Sequence, residues 1–112
     1  MVGEDKINAV TGVSGSSPAY FYLFLKGIIE AGVANGLTEE DAKSLAVATM
    51  IGAGNMVQKN NDKSLDDLIN AVCSKGGTTI EAINVYDKLG LTDITKKAID
   101  ACIKRSFELE NL

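Results

Sequence analysis

Four consecutive residues, Gly76-Gly77-Thr78-Thr79, carry the clearest chemical possibility in this sequence. They fall between two helical patterns, at the start of the second. Glycine admits main-chain conformations closed to other residues, so its N–H groups can be turned toward a common point. A helix start adds unpaired N–H donors and a partial positive charge. With two Thr hydroxyls beside them, these groups could hold a small anion such as a carboxylate. The plainer reading is a glycine loop followed by a Thr that caps the helix. Such loops are common, and on pattern alone this reading is preferred.

A second segment, Ser14-Gly15-Ser16-Ser17-Pro18, also sets small polar residues at a helix start. It is not a dinucleotide fingerprint, because there is no G-x-G-x-x-G and no strand pattern precedes it. By itself it reads as an ordinary capped helix. Most other constellations are absent. The sequence has no His, which removes the usual catalytic triad, an imidazole base and any His-based metal site. Cys73 and Cys102 cannot make a zinc site and read as two reduced thiols. Asp66 and Asp67 are adjacent, so they project to different sides of a helix and read as first-turn charges.

The elements that must position these residues are helices. Residues 1–8 are polar and read as a disordered tail or a remnant foreign to the domain, and 9–112 as one helical domain. Ala9 to Ser17 reads as loop, with a turn of helix at its start. Ser17-Pro18 opens the first long helix, Ser capping and Pro in the first position. That helix runs to about Asn35, with Gly36 ending it. Thr38 caps the second, whose first turn carries Glu39, Glu40 and Asp41. Its apolar stripe runs from Ala42 to Val57, interrupted by Gly52 and Gly54, where another backbone is expected to pack. Ser64 caps the third, with Leu65, Leu68, Ile69 and Val72 on one face. The fourth begins at Thr78 or Thr79 and stops at Gly90. Thr92-Asp93 opens the fifth, which has one face of Ile94, Ala98, Ala101 and Cys102 and another of Ile99, Ile103 and Phe107. No stretch alternates as a strand would, so the fold class is all-α, a single domain of about five helices.

Composition narrows the partners. The 112 residues fit one domain. The formal net charge is −4 with both signs interspersed, a poor match to phosphate backbones or anionic lipid, so neither nucleic acid nor membrane is expected. Nothing at the N-terminus has the basic start and apolar run of a signal peptide, so a cytoplasmic protein is expected. Ala19 to Ala34 is apolar nearly all round, yet it is short for a bilayer and carries Lys26 and Glu30. A helix of that kind is expected to be buried in protein, and in so small a chain complete burial calls for a second subunit.

Taken together the segments resemble a known family. Val13-Ser14-Gly15-Ser16-Ser17-Pro18-Ala19-Tyr20 resembles the S-G-S-G-P-A-Y stretch of pyrroline-5-carboxylate reductases, and Ser74-Lys75-Gly76-Gly77-Thr78-Thr79-Ile80 their S-P-G-G-T-T-I loop. Ala31-Gly32-Val33 through Gly36-Leu37 resembles the A-G-V-x-x-G-L helix end, and Arg105-Ser106 through Leu109 the terminal R-S-x-E-L. Order and spacing agree from about Val10 to Leu109. The resemblance is to the C-terminal domain of these enzymes, which reduce the ring C=N of 1-pyrroline-5-carboxylate to L-proline with NADPH or NADH. In the family that domain is helical, forms an interlocked homodimer and supplies most of the substrate pocket; larger rings of dimers occur in some members. A separate N-terminal Rossmann domain binds the cofactor.

The resemblance implies that backbone N–H groups of Ser74, Gly76, Gly77 and Thr78 hold the substrate carboxylate. It implies that the Thr79 hydroxyl reaches the ring nitrogen, as an orienting group and proton relay, and that Val72 lies near the nicotinamide. Ser14, Gly15, Ser16 and Pro18 would form the wall where the cofactor domain docks. Two positions depart from the family: Ser17 stands for a Gly, and Lys75 for the loop's Pro, which loosens the loop. The Rossmann domain has no counterpart in these residues, so this chain alone is expected to bind no cofactor and to show no reductase activity. The competing readings are a stand-alone binding module for a proline-like ligand and a structural dimer without a ligand.

Overall fold

A computed structural model describes residues 6–112, and among them every regular element is helical. The order is α1 (Ile7–Val10), a π-helical turn (Thr11–Gly15), α2 (Ser17–Ala34), α3 (Glu39–Lys59), α4 (Leu65–Cys73), α5 (Thr78–Leu89) and α6 (Leu91–Glu110). The five long helices are those expected from the sequence. The N-terminal segment differs. Ala9 to Ser17 is helical except for a bend at Ser16, whose N–H closes the wide turn on the Thr11 carbonyl at 2.9 Å. Ile7 and Asn8, at the end of the segment 1–8 expected as a tail, belong to α1. Residues 1–5 of that segment lie outside the described ones.

Helix ends follow local chemistry. Asn35 closes α2, and Gly36 takes a positive φ of 104°. The Gly36 N–H then reaches the Val33 carbonyl and the Leu37 N–H the Gly32 carbonyl, each at 3.1 Å. This pair of bonds satisfies carbonyls left without partners at the helix end. The Thr38 hydroxyl accepts the Asp41 N–H at 3.0 Å to start α3. At α4, Ser64 and Asp67 cap each other: the Asp67 N–H donates to the Ser64 hydroxyl, and the Ser64 N–H to the Asp67 carboxylate. Gly90, at φ 77°, both stops α5 and caps α6, which opens at Leu91 rather than at Thr92-Asp93. Ser17 also departs from its expected role. It is the first residue of α2, and its hydroxyl donates back to the Ser14 carbonyl at 3.3 Å instead of capping.

Two units divide the chain, the boundary falling within α2. In the first, residues 1–24 with 89–112, α1 and the π-helical turn pack on α6. Gly12 is buried there against Ile99 and Ile103. In the second, residues 25–88, the end of α2 meets the start of α3 where Ala42 lies against Gly32.

Little apolar surface is covered within the chain. Among the described residues only Ala42, 4% exposed, and Ala46, 9%, form buried apolar core. Phe21, Tyr22, Leu23 and Phe24 are consecutive, so at 100° per residue they point around the whole circumference of α2, and all four are exposed. Leu65, Ile69 and Val72 on α4 are bare as well. Apolar side chains left bare along two helices mark a surface built to be covered.

Candidate functional site

The loop between α4 and α5 is shaped by the end of α4. The Ser74 N–H donates to the Asn70 carbonyl at 2.9 Å and the Lys75 N–H to the Val72 carbonyl at 3.3 Å. The Ser74 hydroxyl donates to the Ala71 carbonyl at 3.2 Å. Three helix-end carbonyls are thereby satisfied, and the chain reaches Gly76 with α4 closed. The Ser74 N–H is spent in doing so. Of the four donors expected for an anion, this leaves Gly76, Gly77 and Thr78.

Those three remain available. No hydrogen bond within the chain uses the N–H of Gly76, Gly77 or Thr78, and neither the Thr78 nor the Thr79 hydroxyl has a partner among the described residues. Thr78 is the first residue of α5 and caps nothing. The plainer reading of the loop, a Thr cap, therefore lacks its hydrogen bond. The start of α5 keeps its donors and its partial positive charge free for an outside anion.

The glycines do not take the conformation expected of them. Neither Gly76 nor Gly77 has a positive φ. A methyl group on either would meet no atom within 4 Å. Neither backbone strain nor packing inside this chain requires glycine at these positions. Glycine here leaves the main chain open to close approach from outside. Thr79 is half-buried, whereas Ser74, Lys75, Gly76, Gly77 and Thr78 are exposed. Val72, one turn before the loop, is 55% exposed.

The second expected segment lies in the other unit. Ser14 and Gly15 end the π-helical turn and are exposed, Ser16 and Ser17 are half-buried, and Pro18 is exposed in the first turn of α2. Pro at that place has no N–H that the helix would need. A methyl group on Gly15 would meet nothing within 4 Å, so this surface too is open to an incoming partner.

One cluster was not visible in the sequence. The Tyr20 hydroxyl is shielded from solvent and makes no well-aligned hydrogen bond. Its polar neighbours are the Cys102 thiol and the Ser16 hydroxyl. Contact with Cys102 first, and removal from water second, raise the Tyr20 pKa above the usual phenol value, while Ser16 pulls it down. The same hydroxyls, Ser16 before Tyr20, stabilise the thiolate and draw Cys102 below the usual thiol range, against desolvation. Both cysteines are free thiols. The described residues contain no group of acids and cysteines able to hold a metal, and no helix long and apolar enough to cross a membrane.

Comparison with known proteins decides the family. Residues 4–109 match the model of pyrroline-5-carboxylate reductase dimerisation. The chain belongs to that family. It is 39% identical over 109 residues to the pyrroline-5-carboxylate reductase of Vibrio alginolyticus, covering 97% of the chain and 40% of the relative. Among solved structures, the reductase of Coxiella burnetii superposes with a TM-score of 0.91 at 37% identity, over 97% of this chain and 40% of that one. The pyrroline carboxylate reductase of Plasmodium falciparum, solved with NADP bound, gives 0.89 at 33% identity, over 94% and 40%. The chain thus spans about 40% of the length of the relatives it matches, and over that part it resembles them in sequence and fold.

Among the described residues no strand leads into a glycine turn and a helix start, the arrangement that cradles a pyrophosphate in a dinucleotide-binding fold. Ser14 and Gly15 in the first unit are exposed, as is Val72 in the second.

Proposed function

We propose that the chain is the dimerisation and substrate-pocket part of a cytoplasmic reductase that converts 1-pyrroline-5-carboxylate to L-proline. The observation that carries this reading is the uncapped start of α5. There the Gly76, Gly77 and Thr78 N–H groups stand free beside glycines that nothing inside the chain requires. These three N–H groups hold the substrate carboxylate, aided by the partial charge of the helix. Ser74 contributes by closing α4, which sets the height of the loop. The Thr79 hydroxyl accepts the N–H of the protonated ring imine and orients its carbon for attack. Bound NADPH or NADH supplies the hydride, which adds to the ring carbon while the nitrogen keeps its proton and becomes the neutral amine. Such an iminium needs little beyond positioning, so a site without His is sufficient. Val72 lies near the nicotinamide; separately, Ser14, Gly15, Ser16 and Pro18 form the wall where the cofactor domain docks.

The partner that covers α2 and α4 is a second copy of this chain. The family match and the bare circumference of α2 support a homodimer; rings of dimers are the larger assembly known in the family.

The test is a chimera. The chain replaces the corresponding 40% of the Vibrio reductase, and oxidation of NADPH with the pyrroline substrate is followed. Turnover by the chimera and none by the chain alone is the expected result. A chimera that is dimeric by light scattering and binds NADP, yet does not turn over, overturns the reading. So does turnover by the isolated chain.

A further inference from the structure

Asn8 carries a contact that the substrate loop does not explain. Its side-chain N–H donates to the Glu110 carboxylate at 2.8 Å, and its carbonyl oxygen accepts the Ser106 hydroxyl at 2.7 Å. Ser106 and Glu110 stand four apart on α6, on one face. One amide thus reads a donor and an acceptor on successive turns of the last helix.

The contacts continue at intervals of four. Gly12 packs on Ile103 and Ile99, and Ser16 and Tyr20 stand beside Cys102. An α-helix turns through about 400° in four residues, so each such step overshoots by about 40°. Three steps would carry Tyr20 about 120° away from the line of Asn8. The wide turn from Thr11 to Ser16 lies in the middle of this row. Closing on the fifth residue rather than the fourth, it turns less per residue and takes up overshoot. The π-helical turn is what keeps 8, 12, 16 and 20 against α6.

We propose that Asn8 is a positioning residue whose clasp on Ser106 and Glu110 holds this row in register and so fixes where Ser14, Gly15 and Ser16 stand. Gly12 lacks a side chain and can slide on the apolar Ile side chains, which resist slippage weakly because dispersion is not directional. The Asn8 amide is directional and is the only hydrogen-bonded anchor between α1 and α6 side chains among the described residues. This proposal does not need the reductase reading. That reading adds only that the surface so fixed faces a nucleotide.

Hydrogen exchange on the full chain tests it. Ser106→Ala is expected to speed exchange of the amides of residues 11–16 about fivefold, the effect of losing one ordinary hydrogen bond. Amides of α3 should be unchanged. Asn8→Asp sets a carboxylate against Glu110 and should also speed residues 11–16. Asn8→Asp with Glu110→Gln exchanges donor and acceptor, and should return them to the original rate. No change in Ser106→Ala, an equal rise in α3, or failure of the double variant to recover would each overturn the proposal.

Discussion

Gly12 sits so close to Ile103 that a methyl group on Gly12 would stand 2.7 Å from the Ile103 Cγ1 atom. No Cβ tolerates that distance, and the Cγ1 atom is not the free end of its side chain. Ile103 Cδ1 and Ile99 Cγ2 would each be only 3.2 Å away. Gly12→Ala is therefore expected to destabilise the chain by about 1–3 kcal/mol through overpacking. Ile103→Val removes only Cδ1 and should give partial relief; Ile103→Ala removes Cγ1 and should give more. Denaturant titration of the single and double variants measures this, and strict additivity would show that the clash is not the cause.

Gly76 and Gly77 present the opposite case. With no positive φ and no neighbour within 4 Å, Gly77→Ala meets no obstacle in the chain. Its stability should be unchanged or raised by about 0.4–1 kcal/mol, because the unfolded chain loses freedom. Under the proposed function its cost is paid in ligand binding alone. In the chimera KM for the pyrroline substrate should rise at least about tenfold, the equivalent of about 1.4 kcal/mol. Thermal melts of the chain and kinetics of the chimera separate the two effects.

The bare apolar circumference of α2 predicts association. Light scattering at micromolar concentration should give about twice the mass of one chain, 11.8 kDa, and Tm should rise with concentration. Leu23, 70% exposed in the single chain, is expected to be buried in the dimer. Leu23→Asp should then shift the mass toward one chain. A monomeric mass for the unaltered chain would contradict the proposal.

Ser64 and Asp67 form a reciprocal cap. Ser64→Ala removes the acceptor of the Asp67 N–H and is expected to cost about 1 kcal/mol. Thr38→Ala at the start of α3 should cost a similar amount, since it also removes one capping bond. Chemical denaturation of the two variants checks both.

Cys102 should react with iodoacetamide at lower pH than an ordinary thiol, since Ser16 and then Tyr20 stabilise its thiolate. A lowered folded pKa means that ionisation favours the fold. That contribution is complete above the ordinary thiol pKa and is lost as pH falls through the lowered value. Ser16→Ala removes the largest cause, so the midpoint of the alkylation profile at Cys102 should move up. An unchanged midpoint, read at this cysteine by mass spectrometry, would show that Ser16 does not act on it.

The sequence determined by itself whatever depends on neighbours along the chain. Caps at Thr38 and Ser64, glycine stops at Gly36 and Gly90, and the five long helices all rest on interactions spanning a few residues, which composition and spacing record. The loop Gly76-Gly77-Thr78-Thr79 could be found the same way, because helix starts and free N–H groups are local. The four motifs also led to the family, which the match over residues 4–109 shows.

Tertiary structure decided the rest. Ala9 to Ser17 looked like loop because its Gly and Ser residues are weak helix formers. Contact with α6 overrides that preference, and Gly12 is there to let Ile103 approach. The clasp of Asn8 joins residues 98 and 102 positions apart, and the cluster of Ser16, Tyr20 and Cys102 spans a similar gap. No periodicity marks such pairs, since only folding brings them together. The role of Gly76 and Gly77 also changed. Sequence suggested a left-handed backbone, whereas the structure gives an ordinary one with empty space above it. Whether a glycine serves its own φ or an approaching group depends on what surrounds it, and that is fixed by atoms far away in sequence or outside the chain.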